Sequence, residues 1–182
     1  MTGKILVDFK FQASTPDDVI KSYTGAVPES MLEIWNQYGF GSFLGGYLKT
    51  VNPDLFQPIL KDVYVRHRDA LVLFTTSMGD IIVWEDNKYL IQLNFRRGKI
   101  KGISSGITFF FSDLEDESFL EENLDWLPYP EAVQKLGEPG YEECFAYTPS
   151  LALGGSEKLE NLNKAKLVEH IYLMKEVIGP IE

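Results

Sequence analysis

The chain has 182 residues, 45% of them hydrophobic and 24% charged, enough to bury one sizeable core and too apolar for a disordered chain. Its 27 acids against 17 bases give a formal charge of -10, which excludes a nucleic-acid or anionic-membrane binder, since both need clustered Lys and Arg. A single cysteine, Cys144, rules out an internal disulfide or a multi-cysteine zinc site; with no leader or long apolar run, the expected address is the cytoplasm.

In chain order, Ile5 to Phe11 reads as a strand, and Ser14-Thr15-Pro16-Asp17-Asp18 as a helix start with Thr15 as cap and Pro16 in the first turn. After Pro28, the residues Met31, Leu32, Ile34, Trp35 and Tyr38 form one apolar helical face ending at Gly39. A glycine-rich link, Gly39 to Gly46, leads to Asn52-Pro53, which opens a third short helix through Leu60. From Ala70 the period changes: Leu71 to Phe74 and Ile81 to Trp84 predict a hairpin turning at Met78-Gly79-Asp80. Asp86-Asn87 turns into a strand over Tyr89 to Phe95, whose alternation implies a sheet with one face more buried than the other. Arg97-Gly98-Lys99 turns again. A strand over Ile107 to Phe111 follows, then helices over Asp113 to Asp125 and Pro130 to Leu136, a strand over Glu143 to Tyr147, and a last helix from about Glu157 to Val177. The reading is α+β: a central, mostly antiparallel sheet flanked by N-terminal and C-terminal helices.

Candidate chemistry is sparse. Cys144, His67 and His170 are the usual starting members of a nucleophile and base set. His67 lies in the polar run Arg66-His67-Arg68-Asp69, His170 beside apolar helix positions where one satisfied hydrogen bond is expected, and Cys144 in a strand as a small core residue. Neither histidine has a second histidine or cysteine at ligand spacing, and Gly41 to Gly46 lacks the Lys and Ser or Thr of a phosphate loop. No catalytic residue, metal or cofactor is assigned.

Charge is the outstanding feature. From Asp113 to Glu143 there are eleven acids against Lys135 alone, while the rest of the chain holds sixteen acids and sixteen bases. Glu117, Glu121 and Asp125 fall at i, i+4 and i+8, with Glu115 and Glu122 on the same broad face and Leu120, Leu124 and Leu127 opposite. Glu115, Glu117, Glu121, Glu122 and Asp125 are therefore the candidate partner-binding residues, a patch of one sign that speeds encounter with a basic protein.

Several stretches together resemble bacterial immunity proteins in which a GAD-like region precedes the C-terminal domain of type VI secretion DNase immunity proteins. The first is carried by Val27-Pro28-Glu29, Trp35-Asn36-Gln37-Tyr38-Gly39-Phe40-Gly41, Val51-Asn52-Pro53 and Gly79-Asp80. The second is carried by Pro149-Ser150-Leu151-Ala152-Leu153-Gly154-Gly155 and Lys164-Ala165-Lys166-Leu167-Val168-Glu169-His170. The resemblance implies a GAD-like region over 1–105 and an immunity region over 106–182, packed as one body. It implies a cytoplasmic antitoxin that is not itself an enzyme and that binds a cognate secreted nuclease toxin with a basic surface. A regulatory or scaffolding module of the SMI1/KNR4 kind, which shares the helix-to-glycine pattern, is the alternative; a Cys144–His170 hydrolase is the third reading.

Overall fold

The computed structural model describes residues 6–182. Its centre is a seven-stranded sheet whose strands lie in sequence order, every neighbouring pair antiparallel: β1 (Lys10–Ala13), β2 (Phe40–Phe43), β3 (Leu48–Thr50), β4 (Ala70–Thr76), β5 (Ile81–Glu85), β6 (Tyr89–Asn94) and β7 (Lys99–Ser105). A second, two-stranded sheet pairs β8 (Glu143–Tyr147) with β9 (Leu162–Lys166). The helices are α1 (Asp17–Tyr23), α2 (Glu29–Tyr38), α3 (Pro53–Val63), α4 (Ile107–Asp113), α5 (Glu117–Leu124), α6 (Tyr129–Leu136) and α7 (Leu167–Ile178). The α+β reading holds.

Both faces of the large sheet are covered. Ile82, Trp84 and Leu90 enter one apolar cluster with residues of α1, α2, α4, α5 and α6, while Ile81, Val83 and Leu93 enter another with Ile59, Leu60 and Val63 of α3 and Leu167, Ile171 and Met174 of α7. This explains why Leu71 to Phe74 and Ile81 to Trp84 are unbroken apolar runs rather than alternating ones. It also bears on the expectation of one more-buried face: in β6, Leu90, Gln92 and Asn94 on one side and Leu93 on the other are all buried.

The hairpin turns follow from backbone chemistry. Asp86 and Asn87 both take positive φ, 53° and 51°, with Lys88 N–H donating to the Glu85 carbonyl at 3.1 Å, as the right-handed twist of the strands requires. Gly79, at φ 86°, tops a turn that is wholly buried; a Cβ there would sit 2.7 Å from Cδ2 of His170 on α7. Any side chain would push α7 off the sheet.

Several expected elements differ. The first strand is Lys10–Ala13, and the expected start at Ile5 lies outside the described residues. Thr15 does not cap α1; its hydroxyl donates to the Trp35 carbonyl at 3.0 Å near the end of α2, and Pro16 occupies the capping position. The glycine link is itself the hairpin β2–β3, and α3 runs on to Val63. The strand over Ile107 to Phe111 is helix α4: despite their β propensity, Ile107, Phe110, Phe111 and Leu114 stand at i, i+3, i+4 and i+7 and all are buried, so tertiary packing overrides local preference. The long last helix is divided. β8 needs a hydrogen-bonding partner along its edge, and Leu162–Lys166 supplies it as a strand before α7 begins at Leu167.

The second half of the chain is tied to the first by buried polar groups. Lys49 of β3, fully buried, donates to the carbonyls of Gly140 at 2.8 Å and Glu143 at 2.5 Å. Tyr47 Oη and Gln92 Nε2 both donate to the Leu124 carbonyl, at 2.5 and 3.1 Å, and Tyr141 Oη donates to that of Thr50 at 2.6 Å. Burial lowers the Lys49 ammonium from 10.5 to about 8. Between those values the unfolded chain retains a proton that the folded chain has shed, so stability rises with pH through that window. Relative to Lys49→Met, the parent protein should gain about 2 kcal/mol between pH 7.5 and 10, measured by denaturant unfolding at each pH.

Candidate partner-binding surface

The acidic helix is shorter than the charge run. Leu114 and Glu115 turn the chain after α4, and Asp116 caps α5, its carboxylate accepting from Ser118 N–H at 2.9 Å. Asp116 is held below the ordinary aspartate value by bonds from the Ser118 hydroxyl and amide. Leu120 and Leu124 are buried beneath the helix, and Glu117, Glu121 and Glu122 are exposed on it, with Glu115 exposed in the preceding turn. Leu127, expected on the buried side, is exposed, because the helix ends at Leu124 and Asp125 takes the left-handed conformation, φ 52°.

That reversal sends Asp125 elsewhere. Its carboxylate accepts from Arg97 Nε at 2.7 Å, Arg97 Nη2 at 3.0 Å and Asn94 Nδ2 at 2.9 Å, and lies 3.2 Å from Arg96 Nη2. Burial raises its carboxyl, but the bonds from Arg97 and Asn94 and the Arg96 charge outweigh this and hold it below the ordinary value. Arg96 also pairs with Asp80, buried under the sheet at 3.1 Å, and Arg97 reaches Glu157 at 2.5 Å. A chain of alternating charge thus runs from the core to the surface, with Asp125 in its middle and only 24% of its side chain exposed. Asp125 is committed to holding the end of α5, and the four glutamates are free of ion pairs among the described residues.

Sequence separation conceals the neighbours of the patch. The stretch from Lys101 to Lys135 contains no lysine between its ends, yet β7 lies alongside α5, and Arg97, Lys99 and Lys101 share a shallow groove of ≈ 240 Å³ with Glu121, Glu122 and Asp125. Lys101 Nζ donates to the Glu122 carbonyl, where the negative end of the helix dipole favours a cation. Only the strand register, which places β7 at the edge of the sheet, could have revealed this. Glu115 and Glu117 lie beyond the groove.

Cys144 and His170 do come together, on either side of Gly79. Their chemistry is the reverse of an activated pair. Burial pushes the Cys144 thiol up to about 12 and draws the His170 imidazole down to about 4, so thiol and ring are both neutral near pH 7. His170 is buried, and its Nε2 has no hydrogen-bond partner among the described residues, against the expectation of a satisfied ring. His67 stands apart, its Nδ1 3.2 Å from the Tyr64 carbonyl.

With fold and surface in hand, the class is an α+β protein whose second half, carrying the strongly acidic stretch from Asp113 to Glu143, is docked onto an antiparallel meander. The chain belongs to the GAD-like domain family, whose model matches residues 5–96, half of its length. Residues 104–177 match the model of the T6SS immunity protein Tdi1, C-terminal, so the family-level role is type VI secretion immunity. No curated relative matches the sequence. Among solved structures, the crystal structure of Atu4351 from Agrobacterium tumefaciens is similar with a TM-score of 0.77 at 17% identity, over 96% of this chain and 88% of that one, a likeness of fold.

Asp125→Asn keeps the shape and the left-handed turn but removes the charge between two arginines. It should cost about 1–3 kcal/mol in denaturant unfolding, whereas Gln at Glu115, Glu117, Glu121 or Glu122 should stay within about 0.5 kcal/mol. A disulfide reagent added at pH 8 should leave the folded thiol of Cys144 unmodified and titrate it once the chain is denatured.

Proposed function

We infer that the protein binds and neutralises a cognate type VI secretion DNase effector by direct protein contact in the cytoplasm, and is not an enzyme. The observation that carries this is one of position: the Asp113 to Glu143 stretch, which accounts for the whole net charge of -10, lies within residues 104–177, the part matching the immunity model. A nuclease must present a basic surface to bind DNA, and an acidic protein can occupy that surface in its place. The chain acts as one body in two parts, a GAD-like region over 1–105 that scaffolds and an immunity region over 106–182 that presents the acids. Glu115, Glu117, Glu121 and Glu122 steer the approach, with Asp125 fixing the helix that carries them.

Co-purification with a secreted nuclease sought among the products of the neighbouring genes, and rescue of cells expressing that nuclease, test the function; absence of both removes it. For the surface, changing Glu115, Glu117, Glu121 and Glu122 together to Gln should slow association with that nuclease about tenfold at low salt. The parent's association rate should fall as the Debye length shrinks from about 10 Å at 0.1 M salt toward 3 Å at 1 M, with dissociation changing less. Stopped-flow kinetics checks both, and an unchanged low-salt rate would move the interface off α5.

A further inference from the structure

A cleft of ≈ 700 Å³ opens between the edge strand β1, helix α3 and the start of α7. Phe40, Val51, Phe56 and Ile59 line it from the GAD-like stretch, and Leu167 and Val168 from the immunity stretch, so it exists only where the two are joined. Interfaces between structural units are where binding clefts concentrate. Two large apolar side chains on its walls face solvent, Leu55 at 69% exposure and Val168 at 38%. Thr75, fully buried, also lines the cleft, and its hydroxyl has no hydrogen-bond partner among the described residues.

The charges around this cleft decide what fits it. Glu142 and Glu169 border it, both exposed and neither ion-paired among the described residues, whereas the one cation there, Lys166, already faces Glu143 at 3.7 Å. An anionic amphiphile such as a fatty acid would be repelled, and a second copy of a chain with net charge -10 would meet like charge with like. We propose that this cleft docks a polypeptide segment of the toxin in which one or two large apolar side chains are flanked by Lys or Arg. The apolar side chains fill the floor between Phe56 and Leu167, and the flanking cations pair with Glu142 and Glu169. The partner's identity rests on the immunity reading above; the preference for a basic-flanked apolar segment rests on the cleft alone.

Two measurements separate these. In the first, the intact protein is titrated with acetyl-Lys-Leu-Phe-Lys-amide and with acetyl-Glu-Leu-Phe-Glu-amide while amide chemical shifts are followed. The basic peptide should bind roughly fivefold or more tightly than the acidic one, with shifts centred on Leu55 and Val168. Glu142→Lys combined with Glu169→Lys should reverse the preference. Equal affinity for the two peptides, or shifts elsewhere, overturns the cleft's assignment whatever becomes of the immunity reading. In the second, Leu55→Asp with Val168→Asp, both at exposed positions, should weaken capture of the co-purifying nuclease about tenfold while leaving the melting temperature in place. Undiminished capture overturns the docking and leaves immunity standing on α5. If the peptide preference holds but no nuclease is captured by the parent protein, the immunity reading falls and takes the named partner with it. A concentration-dependent dimer abolished by Leu55→Asp would assign the cleft to a second copy and overturn the proposal.

Discussion

The structure depends on a buried cation that has no carboxylate in ion-pair contact among the described residues and only the more distant charges of Glu138 and Glu143 to favour it. Lys49 is in the middle of the large sheet, and its ammonium is solvated by two backbone carbonyls of the segment leading into β8. Desolvating a charge on those terms is costly, and it is tolerated only while the second half of the chain stays where those carbonyls are. Tyr47, Gln92 and Arg96 repeat the arrangement with the end of α5, each offering a side-chain donor to a main-chain carbonyl. The two family-matched stretches therefore share a boundary made of directional bonds as well as apolar contact, and directional bonds fix register. That register places the acidic helix alongside β7 on one face of the sheet and the cleft beside α7 on the other.

Much of the fold could be read where local chemistry and tertiary need agree. The type of turn at Asp86-Asn87, the capping of α3 by Asn52, whose side chain accepts from Asp54 N–H at 3.0 Å, the apolar runs of β4 and β5 and the alternation of β6 all follow from residues within a few positions of one another. Reading failed where a distant partner decided. Phe109 to Phe111 look like a strand until a helical face is needed over the sheet, and Leu162 to Lys166 look like a helix until β8 needs an edge. The candidate surface shows the same division. Its glutamates were visible as a charge run, but the arginines that withdraw Asp125 from it, and the lysines of β7 that border it, lie some 20 to 30 residues earlier. The cleft under α7 left no local signature, since its apolar residues each fit an ordinary amphipathic pattern.

The acidic face and the apolar cleft have different physical uses. Charges on an exposed helix act at a distance and are weakened by salt, so they govern how fast a partner arrives. A desolvated apolar pocket acts only on contact, and so governs how long the partner stays. A protein that must both meet its partner quickly and hold it gains from both. The alternating charges from Asp80 through Arg96 and Asp125 to Arg97 and Glu157 connect the end of the helix to the core, which holds the acidic face in place as the acids repel one another.

The covering of the large sheet on both faces has a consequence for the order in which the chain is made. All seven strands have left the peptidyl-transferase centre once Ser105 is joined, and every one of their pairings is with a neighbour in sequence, so the meander can close early. Helices α4 to α7, which shield much of it, are encoded afterwards; at ~5–20 residues per second their synthesis takes on the order of 4–15 s. Through that interval the runs Leu71 to Phe74 and Ile81 to Trp84 are a hydrophobic surface on a nascent chain. The last helix made, α7, is the one that closes over Gly79, so the cover of the sheet's second face is completed only when the chain is nearly finished.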